Sequence, residues 1–179
     1  MGKNSKKITI LIIIVIIGGI FLISKMGSES SLISDVDKTK LSQAPTFSLE
    51  DYDGNIVSSS DFVDKILVVN SWAVWCPFCV NELPDFKELQ EEFPDDIAVI
   101  AINRRESRSL AKNYTDDAGL TESYRFLLDP GDSFYKSIGG FSMPETIFVS
   151  PEGELLKHKR GPLDFTEMKS IIDELLAKN

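Results

Sequence analysis

The sequence predicts an α/β domain, and three observations carry that expectation. Short continuous apolar runs, Ile66-Leu67-Val68-Val69 and Ile97-Ala98-Val99-Ile100-Ala101-Ile102, read as strands buried on both faces. Between them Val80, Leu83, Phe86, Leu89 and Phe93 recur at helical spacing, so strand and helix alternate along the chain. The only two cysteines, Cys76 and Cys79, sit where the first strand hands over to that helix.

The 179 residues divide most simply into an anchor, a linker and one domain. Lys3, Lys6 and Lys7 precede residues 8–23, an Ile-rich stretch without a charge. Sixteen such residues make roughly 24 Å of helix, slightly short of a hydrocarbon core, and Lys25 can snorkel to the interface. A cleaved signal peptide is the alternative, but Ser24-Lys25-Met26 lacks the small-x-small pattern of a cleavage site. Residues 1–26 are therefore expected to be a retained, single-pass transmembrane anchor, with a cytoplasmic N-terminus and the domain outside the cytoplasm. Residues 27–43, polar and serine-rich, read as a flexible linker, and residues 44–179 as the folded domain.

The chain has 19 basic and 28 acidic residues, a formal charge of −9. Four of the basic residues and none of the acidic ones lie in the first 26, which leaves −13 on the rest. An acidic domain of this kind is a poor binder of nucleic acid and of anionic lipid.

Chemistry is concentrated at Cys76-Pro77-Phe78-Cys79. Pro77 suits the first turn of a helix, where its missing N–H is not needed. Residues three apart on that turn are neighbours, so the two sulfurs can bond in a small ring. The free N–H groups and positive dipole end of the helix favour a thiolate on Cys76, the expected nucleophile. Cys79, one turn in, is the expected resolving thiol. Half a zinc site and a pair of inert buried cysteines compete with this reading. Only His158 stands beyond the pair as a further ligand of that type, whereas a structural zinc site takes four ligands. A c-type haem attachment would need His at position 80, which is Val.

Trp72-Ala73-Val74-Trp75-Cys76-Pro77-Phe78-Cys79, with Asn70 before it and Glu82-Leu83-Pro84 after it, resembles the active-site segment of the thioredoxin superfamily. The similarity is greatest to the TlpA/ResA/DsbE-like branch of membrane-tethered thiol-disulfide oxidoreductases, from about Ala44 to the C-terminus. It implies a thioredoxin-like fold, a central mixed sheet flanked by helices, with an N-terminal β-hairpin and an inserted helix. It also implies protein thiol and disulfide substrates, a membrane redox partner that supplies or accepts electrons, and no cofactor beyond the redox disulfide. A monomer is expected. Thioredoxin itself has a buried aspartate six residues before the first cysteine; here that position is Asn70, which cannot act as a base. Glu82 is the candidate that the branch supplies for the proton relay, its alternative reading being an exposed helix residue.

The remaining elements follow in order. Thr46 to Leu49, Asp53-Gly54-Asn55 and Ile56-Val57 read as a hairpin. Trp72 is expected in the core, and Trp75, partly exposed, as a surface for substrate beside Cys76. Pro77 and Phe78 complete that surface. Glu106 to about Asp117 reads as the inserted helix, with Leu110 and Tyr114 on one face. Arg104 and Arg105 read as solvated charges. Ser133 to Ile138 is a short helix closed by Gly139-Gly140. By resemblance, Met143-Pro144 is a cis bond facing the dithiol, its backbone free to pair with an extended substrate. Pro144-Glu145-Thr146 resembles the members that act in cytochrome c maturation, while Phe141-Ser142 departs from the family's glycine-containing stretch. His158, among Lys157, Lys159 and Arg160, reads as solvent-facing. Asp164 and Glu167 read as a capping pair for a closing helix lined by Phe165, Met168, Ile171, Ile172, Leu175 and Leu176.

Two other functions compete with dithiol exchange. A peroxidase of the peroxiredoxin type would need a Pro-x-x-x-Thr/Ser-x-x-Cys setting, which Ser71 to Cys76 does not offer. A non-catalytic module would present the proline groove to partner proteins without using the cysteines.

Overall fold

The computed structural model describes residues 43–177. The expected anchor, residues 1–26, and all but the end of the linker lie outside them. Among the described residues, no helix is long and apolar enough to cross a membrane.

Seven strands form one mixed sheet: β1 (Ser48–Asp51), β2 (Ile56–Ser58), β3 (Ile66–Trp72), β4 (Ile97–Arg104), β5 (Arg125–Asp129), β6 (Glu145–Val149) and β7 (Leu155–Arg160). Their order is β2-β1-β5-β4-β3-β6-β7. The centre, β5-β4-β3, is parallel. Antiparallel pairs extend it on both sides, the N-terminal hairpin against β5 and β6-β7 against β3. All seven residues of β3 are buried, as its continuous apolar run requires.

Among the described residues, four α-helices pack on this sheet: α1 (Pro77–Glu92), α2 (Arg108–Asp117), α3 (Ser133–Ser137) and α4 (Phe165–Leu176). Strand alternation splits the core into two faces. Leu67, Val69, Ile100, Ile102, Leu127 and Ile147 point to the face covered by Phe134 and Tyr135 of α3. Ile66, Val68, Val99 and Phe148 point the other way, onto Phe86 and Leu89 of α1 and Met168 and Ile172 of α4. A third cluster lies at the C-terminal end of β3, where Trp72, Leu83, Ala111 and Phe126 surround the two cysteines.

The inserted helix begins later than its sequence suggests. Ser107 is its N-cap, accepting from the Leu110 N–H at 3.3 Å, so Glu106 stays in the loop. Its buried face is Ala111 and Thr115, and Leu110 is exposed.

Candidate active site

Cys76 is the N-cap residue of α1 and Pro77 its first helical residue. The two sulfurs are joined as a disulfide, with an S–S distance of 2.10 Å. The Cys79 N–H donates to the Cys76 sulfur at 3.2 Å, which aims an unpaired helix N–H at the atom expected to carry the thiolate. Both residues are buried, with a trace of surface left only on Cys76. Trp75 and Phe78, by contrast, are 59% and 63% exposed. Trp72 is in the core, as expected.

Met143-Pro144 is cis. Met143 packs against the cluster that contains both cysteines, so the segment leading into β6 borders the dithiol. Phe141, two residues earlier, is 85% exposed.

Glu82 is not an exposed helix residue. It is 2% exposed, one turn beyond Cys79 on the same side of α1. The Asn70 amide donates to its Oε1 at 2.7 Å and the Leu163 N–H to its Oε2 at 3.0 Å. Asn70 also donates to Thr146 Oγ1 at 3.1 Å. Asn70 and Thr146 are directly opposed across β3 and β6, so one cross-strand pair and one helix residue form the network. Burial pushes the Glu82 carboxyl up to about 8, against the lowering effect of the Leu163 and Asn70 donors, and Asp85 adds like charge.

Several residues of this region escaped the sequence reading. Glu106 accepts from the Val74 N–H at 2.9 Å and from the Asn103 amide at 2.6 Å, tying the loop before Cys76 to the end of β4. The one signal for it was Ser107, a better cap than Glu106 itself. Arg104 is not a solvated charge: it makes two hydrogen bonds to Asp132, at 2.8 and 2.6 Å, and lies 3.6 Å over the Tyr135 ring. Arg105 turns away with φ 60°.

His158 is not solvent-facing either. Its partner across the sheet is Ile147, so its side chain lies on the face covered by α3, beside Glu145. Its Nε2 is 2.6 Å from Glu145 Oε2. Among the described residues, no group of three or more His, Cys, Asp or Glu side chains is placed to hold a metal ion.

The comparisons with known proteins agree with this geometry. The AhpC/TSA family model matches residues 41–158. The thiol-disulfide oxidoreductase ResA of Halalkalibacterium halodurans is 29% identical over 120 residues, covering 66% of this chain and 67% of that protein. The thiol:disulfide interchange protein DsbE of Allochromatium vinosum is 30% identical over 142 residues, covering 75% and 74%. The crystal structure of a DsbF homologue from Corynebacterium diphtheriae matches with a TM-score of 0.69 at 27% identity, covering 77% of this chain and 89% of that one. With its dithiol at the start of a helix and these matches over most of its length, the chain belongs to the AhpC/TSA family, among its thioredoxin-like thiol-disulfide oxidoreductases.

Proposed function

We propose that the chain is a reductase of protein disulfides, working outside the cytoplasm from a membrane anchor at residues 1–26. The observation that carries the chemistry is the Cys79 N–H aimed at the Cys76 sulfur at the start of α1. In the reduced protein the Cys76 thiolate attacks one sulfur of a partner disulfide. A mixed disulfide forms, and the partner's other sulfur leaves as thiolate. Cys79 then attacks the Cys76 sulfur, which closes the Cys76–Cys79 disulfide and releases the partner's second thiolate. Two electrons pass to the partner, which takes up two protons. A membrane redox partner returns the two electrons to the disulfide.

Glu82 takes the proton from Cys79 as that thiol becomes a nucleophile. With its carboxyl pushed up to about 8, its affinity for a proton is close to that of an ordinary thiol at about 8.5, which suits transfer in both directions. Trp75, Pro77 and Phe78 offer the surface beside Cys76, and Met143 and Pro144 the edge along which an extended substrate pairs. The resemblance of Pro144-Glu145-Thr146 supports apocytochrome c as a substrate.

The test is a pair of variants of the full-length chain. Cys76→Ser abolishes turnover, whereas Cys79→Ser completes the first step and accumulates a mixed disulfide visible on a non-reducing gel. Turnover retained by Cys76→Ser would remove the role given to Cys76. Protease added to the outer face of intact cells is expected to digest the domain, and full protection would contradict the proposed location.

A further inference from the structure

Asn70 is wholly buried, and its amide joins Glu82 of α1 to Thr146 of β6. Nδ2 carries two hydrogens and uses both, one on Glu82 Oε1 at 2.7 Å and one on Thr146 Oγ1 at 3.1 Å. Oδ1 is sealed from water and, among the described residues, has no hydrogen-bond partner. A buried acceptor without a donor is costly, so this amide is held at one end only.

Glu82 has the complementary problem. Both of its oxygens face donors, Oε1 the Asn70 amide and Oε2 the Leu163 N–H. That arrangement suits a carboxylate, which only accepts. Burial nevertheless pushes the carboxyl up to about 8, so at neutral pH it carries a proton. An acid has an O–H to donate, and neither contact receives it. The ionisable groups nearby are engaged elsewhere. Asp85 on the same helix accepts from the Phe165 backbone and adds only like charge. The Tyr124 hydroxyl, which feels the charge on Glu82, donates to the Leu83 carbonyl at 3.0 Å.

One movement answers both problems. The two ends of an amide are alike in shape, so a half-turn of the Asn70 amide puts Oδ1 where Nδ2 stood while the backbone stays in place. Oδ1 then accepts from the Glu82 O–H. The Thr146 hydroxyl, which can donate or accept, reverses and donates to Oδ1 as well. Either orientation leaves one end of the amide without a partner, so the choice rests on Glu82. The charged carboxylate makes the stronger bond with an N–H, and the protonated one has a hydrogen to give.

We propose that Asn70 is a positioning residue whose amide turns with the proton on Glu82, donating to the carboxylate and accepting from the acid, while the Thr146 hydroxyl reverses in step. As the disulfide closes, the Cys79 S–H bond breaks, its proton forms the Glu82 O–H, and Oδ1 receives that hydrogen. When the disulfide is reduced the proton returns to the Cys79 sulfur and the amide turns back. The proposal rests on the role given to Glu82 in the reductase reading and adds what lets a sealed acid both hold the proton and release it.

The experiment is NMR of the oxidised, full-length chain in detergent micelles, labelled with 15N-asparagine and 13C-glutamate and titrated from pH 6 to 10. The Glu82 carboxyl carbon reports the proton, and the Asn70 side-chain amide reports the turn. Above the Glu82 midpoint the amide hydrogens are expected to show a strong NOE to the Thr146 methyl. Below it that NOE is expected to be lost and the amide signals to shift with the same midpoint. In Glu82→Gln the amide signals are expected to be independent of pH. Asn70→Leu is expected to slow disulfide closure about tenfold and to raise the pH midpoint of that step by about one unit, because ionised Glu82 loses its side-chain donor. A merely structural role would leave that midpoint in place. The spectra need only the wild type, so the test stands if Asn70→Leu fails to fold. Amide signals and NOE unchanged through the Glu82 midpoint overturn the proposal, as does a pH dependence that survives in Glu82→Gln. An amide that turns with Glu82, in a chain whose Glu82→Gln variant closes its disulfide as fast as the wild type, rejects the role given to Glu82 in the reductase reading instead, which keeps the two failures apart.

Discussion

At the residue scale, a carboxyl one turn past Cys79 is sealed from water and holds its proton to about pH 8. If it accepts the Cys79 proton, closure of the disulfide accelerates as pH rises through about 8. Glu82→Gln keeps the shape but cannot accept that proton, so closure is expected to slow by about 10²-fold and to lose this pH dependence. Stopped-flow fluorescence of Trp75 beside Cys76 follows the step, and an unchanged profile in the variant would assign the proton to another group. Asn70 was legible as unable to serve as a base, but its role as the donor that holds Glu82 was not. That role depends on a helix and two strands meeting, with Thr146 far away in sequence. His158 was misread for a related reason. Its basic neighbours suggest solvent, yet side chains alternate along a strand, and the register puts His158 on the face of Ile147 while Lys157 and Lys159 lie opposite Phe148 and Thr146 on the other face.

At the scale of the elements, the strands and helices were legible because their signals are local. Continuous apolar runs gave β3 and β4, helical spacing gave α1 and α4, and Pro77 marked the first turn of α1. Asp164 caps α4 as its sequence suggests, accepting from the Glu167 N–H at 2.8 Å. The reciprocal half of the box gives way to an ion pair between Glu167 and Lys159 on β7. Asp164→Ala is expected to lower stability by about 1 kcal/mol, measured by urea denaturation, with no effect on the dithiol. A loss of several kcal/mol would mean that the cap also holds the adjoining Leu163 against Glu82. The start of α2 was misjudged by two residues because two polar residues, Glu106 and Ser107, compete to begin it. The serine takes the cap, and the glutamate is left free to brace the loop before Cys76.

At the scale of the whole molecule, the sheet brings the C-terminal end of β3 and the start of β6 together, so the dithiol and the cis proline meet although 65 residues or more separate them. The resemblance anticipated that meeting; composition and periodicity could not, because strand order is set by packing across the sheet. The network around Glu82 also reaches the stability of the whole domain. The unfolded chain releases this proton above about pH 4.5, while the folded chain keeps it to about 8. Folding between those values therefore takes up a proton, and this group's contribution makes stability fall as pH rises across that window. Subtracting the urea midpoints of Glu82→Gln from those of the wild type at each pH isolates the slope, and a difference independent of pH would contradict the buried, protonated carboxyl. The proposed function requires a reversible dithiol that gives electrons to proteins. Its most direct test is the reduction potential of Cys76–Cys79 in the full-length chain, equilibrated with dithiothreitol or glutathione. A value of about −230 to −270 mV, in the range of reducing dithiols, is expected. A value near about −120 mV, or no reversible couple at all, would contradict it.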